Sequence, residues 1–218
     1  MIELKNVSKE YEGGVKALDS VSLKFSEGEV IVIKGMSGSG KSSMLSLIAG
    51  LSKPTEGEVV VDTKHISKLA DHFATSFRRE NIGMIFQKYN LIADLSVKEN
   101  ILLPLVPLNL KREELDERLS RELERFSLMN KKDTQVKKLS GGEQQRCAIA
   151  RANINNPKII LADEPTANLD EKLSLSFIDS LLAMKSENRT IIIATHDPLF
   201  FDLDFVDCVV EMRHGKIV

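Results

Sequence analysis

The sequence predicts an α/β fold in which a mostly parallel sheet is flanked by helices, with an N-terminal antiparallel β layer and an inserted α-helical subdomain. Several short apolar segments rich in β-branched residues are typical of parallel strands buried on both faces. Two segments of alternating polarity precede the first of them, which favours an antiparallel layer. A long, charged stretch with helical periodicity then separates the buried strands into two groups.

The N-terminal segment alternates apolar and polar residues at positions 2–4 and again at 21–25. Such alternation is typical of half-buried strands, and we interpret residues 2–4 as an edge strand. A turn at residues 26–29 leads into the apolar stretch Val30-Ile31-Val32-Ile33, which we predict to be the first buried strand. The two earlier strands predict a small antiparallel layer at the front of the domain.

A glycine-rich segment follows the first buried strand: Gly35-Met36-Ser37-Gly38-Ser39-Gly40-Lys41-Ser42. It matches the G-x-x-x-x-G-K-[ST] phosphate loop, and the residues after it predict a helix that Gly50 ends. Glycine lets the backbone bend closely around a polyphosphate, and the positive end of the helix faces that anion. Lys41 would supply a charge for the β- and γ-phosphates, and the Ser42 hydroxyl would bind Mg²⁺. The alternative is a glycine-rich turn with a chance lysine, but the flanking strand and helix favour the phosphate loop.

Tyr11 lies between the two N-terminal strands and is one of only two tyrosines. An aromatic ring near a nucleotide site can stack on adenine. It is equally compatible with an ordinary half-buried loop tyrosine, and the residues alone leave both interpretations open.

Two further strands are predicted at residues 58–61 and 82–86, and the second ends at Gln87. A polar connection joins them. The chain is predicted to be a single domain, 1–218, with a core formed by residues 1–87 and 156–218 and a helical subdomain at about 88–155.

Within the predicted helical subdomain, Ser96 has the position of an N-cap. Residues 111–126 are highly charged and carry apolar side chains on one helical face, namely Leu115, Leu119, Leu123 and Phe126. We interpret the charges of this helix as a solvated face and not as a binding patch.

A second glycine-rich helix start lies at Leu139-Ser140-Gly141-Gly142-Glu143-Gln144-Gln145-Arg146. Ser140 and Glu143 have the spacing of a capping box, which is the ordinary structural interpretation. A capping box does not require Gly141 and Gly142, which are poor helix formers and leave the N–H groups of the first turn accessible. This helix start is therefore predicted to be a second anion site.

Two carboxylates, Asp163 and Glu164, follow a buried strand at residues 159–162. An acidic residue at the end of an apolar strand is the usual Mg²⁺ partner of a phosphate loop. Successive strand side chains face opposite ways, so we assign Asp163 to Mg²⁺ and Glu164 to the attacking water as general base. A solvated strand end is the alternative. A further buried strand ends at His196, at the sheet edge where α/β folds bind ligands.

The composition excludes several classes of function. The formal net charge is -2, without the basic surplus typical of nucleic-acid binding. No apolar run has transmembrane length, so we expect a soluble chain that reaches a membrane only through another protein. Cys147 and Cys208 have no metal-like spacing and are expected in the core, which fits a reducing compartment.

In this order, the motifs identify a resemblance that covers essentially the whole chain. The sequence is similar to the nucleotide-binding subunit of an ATP-binding cassette (ABC) transporter. The matching segments are the phosphate loop (Walker A), Gln87 (Q-loop), residues 139–144 (signature), Asp163-Glu164 (end of Walker B), residues 167–170 (D-loop) and His196 (switch). The resemblance implies a P-loop NTPase core, ATP and Mg²⁺ as ligands, and ATP hydrolysis. It also favours Tyr11 as the residue that stacks on adenine.

The resemblance further implies that two chains pack head to tail as a homodimer when ATP binds. Each ATP would lie between the phosphate loop of one chain and the signature of the other, where Ser140, Gly141 and Gly142 bind the γ-phosphate. Gln87 is expected to contact Mg²⁺ and the attacking water, and His196 is expected to contact the γ-phosphate and hold that water in place.

The expected site residues fall into three groups. The catalytic group is Glu164, His196 and Gln87. The nucleotide-binding group is Tyr11, Gly35, Ser37, Gly38, Ser39, Gly40, Lys41, Ser42, Ser43, Ser140, Gly141, Gly142 and Glu143. The metal-binding group is Ser42, Gln87 and Asp163.

Residues 77–91 and 162–170 resemble one ABC subfamily, which serves lipoprotein release, macrolide export and the cell-division complex; Asn168 supports that placement, whereas Met36 departs from the small residue common there. The resemblance implies an integral-membrane permease as partner, a cytoplasmic location on the inner face of the membrane, and neither nucleic-acid binding nor lipid insertion. Two other functions stay open: a division-complex motor that regulates cell-wall enzymes, and a soluble ABC ATPase of DNA repair or translation.

Overall fold

The computed structural model describes residues 1–167 and 169–218, which form two β-sheets and six α-helices. The strands are β1 (Ile2–Tyr11), β2 (Val15–Phe25), β3 (Val30–Lys34), β4 (Glu56–Val61), β5 (Lys64–His65), β6 (Ile82–Ile85), β7 (Ile159–Asp163), β8 (Thr190–Thr195), β9 (Cys208–Arg213) and β10 (Lys216–Ile217). The helices are α1 (Lys41–Ile48), α2 (Asp71–Asn81), α3 (Val97–Leu102), α4 (Arg112–Arg125), α5 (Gly141–Asn153) and α6 (Glu171–Ser186). None of these described helices is long and apolar enough to cross a membrane.

The larger sheet has six strands in the order β10-β9-β3-β8-β7-β6. Its neighbours from β9 to β6 are parallel, and only β10 pairs antiparallel, with β9. The smaller sheet is antiparallel, in the order β2-β1-β4-β5. The predicted fold class, with its parallel core, antiparallel layer and helical insertion between β6 and β7, is confirmed.

Alternation along the central strands divides the apolar interior between the two faces of the larger sheet. In β3, Val30 and Val32 face one side, whereas Ile31 and Ile33 face the other. The first side packs against α3, α4, α5 and α6. The second side packs against α1 and the antiparallel sheet. The larger sheet is therefore covered on both faces, as its continuous apolar strands predict.

The helical region contains the predicted features at the predicted places. Ser96 caps α3 in a full capping box with Glu99. In α4, Leu119 and Leu123 are buried, while most of its charged residues face solvent. The exception is Glu122, which is 1% exposed and accepts a hydrogen bond from Asn153. The boundaries assigned to the core and the helical subdomain stay a prediction.

Two expectations about local structure are wrong, and one connection holds an additional helix. Residues 2–4 belong to an inner strand, because β1 pairs with β2 on one side and β4 on the other. Tyr11 is the last residue of β1 and not part of a loop. The polar connection before β6 contains α2, whose apolar face is reduced to Ala74 and Phe77 among charged residues.

Candidate active site

The phosphate loop occupies the turn between β3 and α1, at the carboxyl end of the central strand of the larger sheet. Gly40 caps α1 with a φ of 106°, a backbone conformation that residues other than glycine rarely adopt. A Cβ atom there would also clash with the carbonyl oxygen of Ala17. The backbone conformation and the close approach of β2 therefore both require glycine at this position.

Lys41 is only 5% exposed, and its ammonium lies inside the loop. It donates hydrogen bonds to the carbonyl oxygens of Gly35 (2.7 Å) and Met36 (3.1 Å). Its third contact is an ion pair with Glu164, at 3.2 Å. The charge of Lys41 is thus met by two loop carbonyls and by Glu164, the residue that follows β7.

Ser42 and Asp163 meet directly, since the Ser42 hydroxyl donates to the Asp163 carboxylate at 2.8 Å. Burial raises the pKa of Asp163 above its ordinary value, although the Ser42 hydrogen bond acts the other way. Mg²⁺ is commonly bound by one or two protein oxygens together with substrate phosphates and water. These two oxygen ligands fit that donor set, so the residues present are suited to the metal that the motif implies.

Glu164 adopts the left-handed backbone region, with a φ of 44°, and its N–H donates to Ala194 at the end of β8. The kink turns its carboxylate toward Lys41 and His196 and away from Ser42. One carboxylate oxygen accepts hydrogen bonds from Thr195 (3.1 Å) and from the His196 backbone (3.3 Å), and it lies 2.9 Å from His196 Nδ1. Burial raises the pKa of Glu164, but the His196 and Lys41 contacts outweigh it and lower the pKa overall.

Thr195 and Asp197 hold His196 in place from both sides. The Asp197 N–H donates to Thr195 Oγ1 (3.0 Å), and Thr166 Oγ1 donates to Asp197 Oδ2 (2.7 Å). The His196 segment is therefore tied to Glu164 and to Thr166. Thr195 and Asp197 were not among the predicted site residues, although their location at the end of a buried strand was a usable signal.

The second glycine-rich helix start has a different local structure. Ser140 and Glu143 form a full capping box, and Lys131 pairs with Glu143 at 3.2 Å. A Cβ on Gly141 would meet no atom within 4 Å, whereas one on Gly142 would lie 2.6 Å from a Leu173 methyl group. Gly142 thus packs closely against the Leu173 side chain of α6, a contact that the sequence did not indicate, while Gly141 leaves the helix start open.

Tyr11 lies beside the start of α1, with its hydroxyl 3.2 Å from the hydroxyl of Ser43. Its ring is 43% exposed, and the ammonium of Lys9 lies 5.0 Å from the ring centroid. The structure therefore brings an accessible aromatic face to the helix that the phosphate loop opens.

The predicted residues form one compact group and two outlying ones. Lys41, Ser42, Asp163, Glu164 and His196 contact one another, and Tyr11 and Ser43 adjoin them. Among the hydrogen bonds and ion pairs of the described residues, none joins the segment 140–143 to the phosphate loop. Gln87 is exposed in the turn after β6. Asn168 lies outside the described residues.

A cavity of about 670 Å³ adjoins the outer side of the phosphate loop. The loop residues 35–39 form one wall, and His196, Phe201 and Arg213 contribute to the others. Ser39 is 6% exposed and its hydroxyl has no hydrogen-bond partner among the described residues.

Comparison with known proteins gives a consistent result. A family model described as "ABC transporter" matches residues 18–167. The chain is 39% identical over 224 residues to YknY of Bacillus subtilis, an uncharacterized ABC transporter ATP-binding protein, covering 100% of this chain and 95% of that one. It is 40% identical over 218 residues to the macrolide export ATP-binding/permease protein MacB of Campylobacter jejuni, covering 100% of this chain but only 34% of MacB.

A solved structure has the same fold. It is the dimeric, post-hydrolysis state of the ATP-binding cassette MJ0796 bound to ADP and Pi, with a TM-score of 0.92 and 40% identity over 100% of this chain and 96% of that one. MJ0796 itself is an uncharacterized ABC transporter ATP-binding protein of Methanocaldococcus jannaschii.

Proposed function

This chain belongs to the ABC transporter family as an ATP-hydrolysing cassette, and from that premise we propose that two copies close around two Mg²⁺-ATP molecules and drive a membrane permease. The observation that carries the proposal is the contact group at the carboxyl ends of β3, β7 and β8. There the cation of Lys41, the base Glu164 and the oxygen pair of Ser42 and Asp163 converge on one phosphate loop.

The bound triphosphate competes with Glu164 for the cation of Lys41. Two loop carbonyls and Glu164 accept from that ammonium. The β- and γ-phosphates of ATP carry negative charge on several oxygens and are strong charged acceptors for it. Lys41 turns to them, and Glu164 is released to accept the proton of the attacking water.

His196 then orients the reaction. Its Nδ1 already lies 2.9 Å from Glu164, so it fixes the direction in which the carboxylate faces. With Nδ1 held there, the opposite edge of the imidazole is available to the γ-phosphate. Mg²⁺, held by Ser42 and Asp163, would neutralise part of the phosphate charge when bound.

The second anion site serves the other copy. Ser140 and Gly141 form an open helix start that makes no contact with their own phosphate loop among the described residues, and glycine at position 141 leaves room for a phosphate oxygen. A two-fold dimer places this start over the partner's nucleotide. The dimeric MJ0796 cassette, with 96% of its chain matched, supports this arrangement.

A permease of the lipoprotein-release or macrolide-export type is the proposed partner, and it would hold the chain at the inner face of the cell membrane. The full-length match to the ATP-binding part of MacB, a protein described as both ATP-binding and permease, supports that type. A division-complex motor would use the same chemistry. Identifying the membrane protein that co-purifies with this chain would distinguish a transport permease from a division-complex subunit.

Mixing two inactive variants tests the shared site. Lys41→Ala should abolish one half of each site and Ser140→Arg the other half. In a two-fold dimer, a mixture of the two contains mixed dimers with one intact site, so about a quarter of wild-type hydrolysis should return. The control pairs Lys41→Ala with the Lys41→Ala/Ser140→Arg double variant and restores nothing. If the first mixture also stays inactive although both variants are folded and form mixed dimers, the head-to-tail dimer is wrong.

A further inference from the structure

The segment that follows Gln87 is held by an arginine of α5. The guanidinium of Arg151 donates one hydrogen bond to the carbonyl of Tyr89 (2.6 Å) and another to the carbonyl of Asn90 (2.5 Å). The guanidinium thus binds two successive carbonyls with its two terminal nitrogens, held in the fixed fork geometry of a planar group. This contact joins two parts of the chain that are 62 residues apart.

Arg151 has an unusual set of partners. It is partly buried, and burial lowers its pKa. Among the ion pairs of residues 1–167 and 169–218 it has no carboxylate. Its charge is therefore met by backbone carbonyls alone, although a buried cation is normally paired with an anion. A movement of Arg151 away from these two carbonyls would therefore leave its partly buried charge without acceptors.

The segment after Gln87 has a strained backbone at the two residues whose carbonyls accept from Arg151. Tyr89 and Asn90 both adopt the left-handed region, with φ values of 57° and 49°. Asparagine tolerates that region, but a bulky tyrosine there is rare. The Tyr89 hydroxyl is also buried without a hydrogen-bond partner in the described structure. A conformation of this kind persists only when its surroundings impose it.

Helix α5 connects this segment to the rest of the site. Ser140 caps its start, and Arg151 lies eleven residues further on, about 16 Å along the axis. Between them, the buried side chain of Gln145 donates to the carbonyl of Pro165 at 2.8 Å, next to Glu164. One helix therefore begins at the second anion site, contacts the residue after Glu164 and contacts the segment after Gln87.

We propose that Arg151 is a positioning residue that makes the location of Gln87 follow that of α5. The inference rests on the role that the family resemblance implies for Gln87, which is contact with Mg²⁺ and the attacking water of the proposed ATPase. A displacement of the Ser140 end, as a partner's nucleotide engages it, would move the Gln87 segment through the two carbonyls. Arg151 would act on hydrolysis only through that segment, and it would not touch substrate.

The test is a double-mutant cycle of ATP hydrolysis. Gln87→Ala and Arg151→Lys are made singly and together, with kcat, the KM for ATP and the Mg²⁺ concentration for half-maximal rate measured for each. We expect Arg151→Lys to lower kcat about fivefold with the KM for ATP little changed, and to have less than about a twofold effect in the Gln87→Ala chain. Fully additive effects would overturn the inference.

Arg146→Lys is the matched control, because Arg146 is on the same helix and also donates to a carbonyl, that of Phe126 in the helical subdomain. Amide hydrogen exchange at residues 86–91 should become faster in Arg151→Lys and not in Arg146→Lys. Unchanged exchange in Arg151→Lys would overturn the inference whatever the rates. If Arg151→Lys does not fold, Arg151→Gln takes its place in both measurements.

The two proposals fail in different ways. Full hydrolysis by the Gln87→Ala chain would overturn the role of Gln87, and the inference with it. A large loss with Gln87→Ala, combined with additive behaviour of Arg151→Lys, would overturn the inference alone.

Discussion

The ammonium of Lys41 lies 3.2 Å from the carboxylate of Glu164, so the phosphate loop and the end of β7 are joined by an ion pair between two nearly buried side chains. Both residues are expected to act on the same substrate, one as a cation for phosphate and the other as a base for water. Each side chain therefore lies within ion-pair distance of the other. We expect the phosphates of ATP to compete with Glu164 for the Lys41 cation.

Glu164→Gln should keep ATP binding and stop turnover. The amide still accepts hydrogen bonds but cannot take a proton, so hydrolysis should fall about 100-fold or more. Phosphate release measures the rate, a fluorescent nucleotide measures binding, and size-exclusion chromatography with ATP should show a trapped dimer. Glu171→Gln, at the exposed start of α6, is the matched control. Normal hydrolysis by Glu164→Gln would show that another group is the base.

Lys41→Ala should weaken ATP binding by about tenfold or more, because a hydrogen bond from a charged donor to phosphate is lost. The change also leaves two loop carbonyls and Glu164 without their donor, so we expect a lower unfolding temperature in the absence of nucleotide. Calorimetric titration and thermal unfolding measure the two effects. Lys5→Ala, in an exposed ion pair with Glu3, should change neither. Unaltered affinity in Lys41→Ala would contradict the assignment of the phosphate loop.

Asp163→Asn should stabilise the ligand-free chain while removing Mg²⁺-dependent hydrolysis. Burial raises the pKa of Asp163, so its ionised form is disfavoured in the folded state, and the penalty is fully present at neutral pH. Thermal unfolding at pH 7 should therefore occur at a higher temperature in Asp163→Asn than in the wild type. The difference should shrink as the pH falls through the raised pKa, because the wild-type carboxyl is then protonated in the fold. A difference that grows toward acid would contradict the sign of the shift.

Ser140→Ala and Ser96→Ala separate capping from nucleotide binding. Both serines form full capping boxes, with Glu143 and Glu99, so each substitution should cost about 1 kcal/mol of stability. Only Ser140→Ala should also reduce ATP-driven dimerisation and hydrolysis, measured by size-exclusion chromatography and phosphate release. Equal losses of activity in the two variants would mean that Ser140 is only a helix cap.

Gly141→Ala and Gly142→Ala should differ in kind. Space is open at Gly141, so its substitution should leave the unfolding temperature unchanged or higher and still lower hydrolysis by obstructing a phosphate oxygen. Gly142→Ala should be less stabilising than Gly141→Ala, because its methyl group displaces the Leu173 side chain and this opposes the helix-propensity gain; Leu173→Ala should relieve that displacement. Thermal unfolding and phosphate release of the three variants check this. Hydrolysis that tracks stability in both variants would argue against an anion site at Gly141.

The fold and the family could be predicted from local patterns, because each depends on contiguous residues. The β3 strand, the phosphate loop and α1 follow one another without a gap, and strand periodicity identifies β7 and β8. The assignment of individual site residues stays a prediction, since it depends on ligands. The first strand was misplaced because half-burial looks alike in an edge strand and in an inner strand of an antiparallel sheet.

Contacts between distant segments could not be predicted from the sequence. Nothing local marks Arg151 as the donor to Tyr89 and Asn90, or Gln145 as the donor to Pro165. The separation of Asp163 and Glu164 was expected from strand alternation, yet β7 ends at Asp163 and a left-handed kink at Glu164 produces it. A backbone reversal of this kind depends on the neighbouring β8 and cannot be deduced from the strand alone.

The division of the interior between the two faces of the larger sheet has an evolutionary consequence. The antiparallel layer and α1, which carries the phosphate loop, share one apolar cluster, while α3, α4, α5 and α6 share another across the sheet. A substitution on one face replaces no side chain of the other cluster, because successive strand residues face opposite ways. Sequence change on the helical side can therefore leave in place every side chain that packs beneath the phosphate loop.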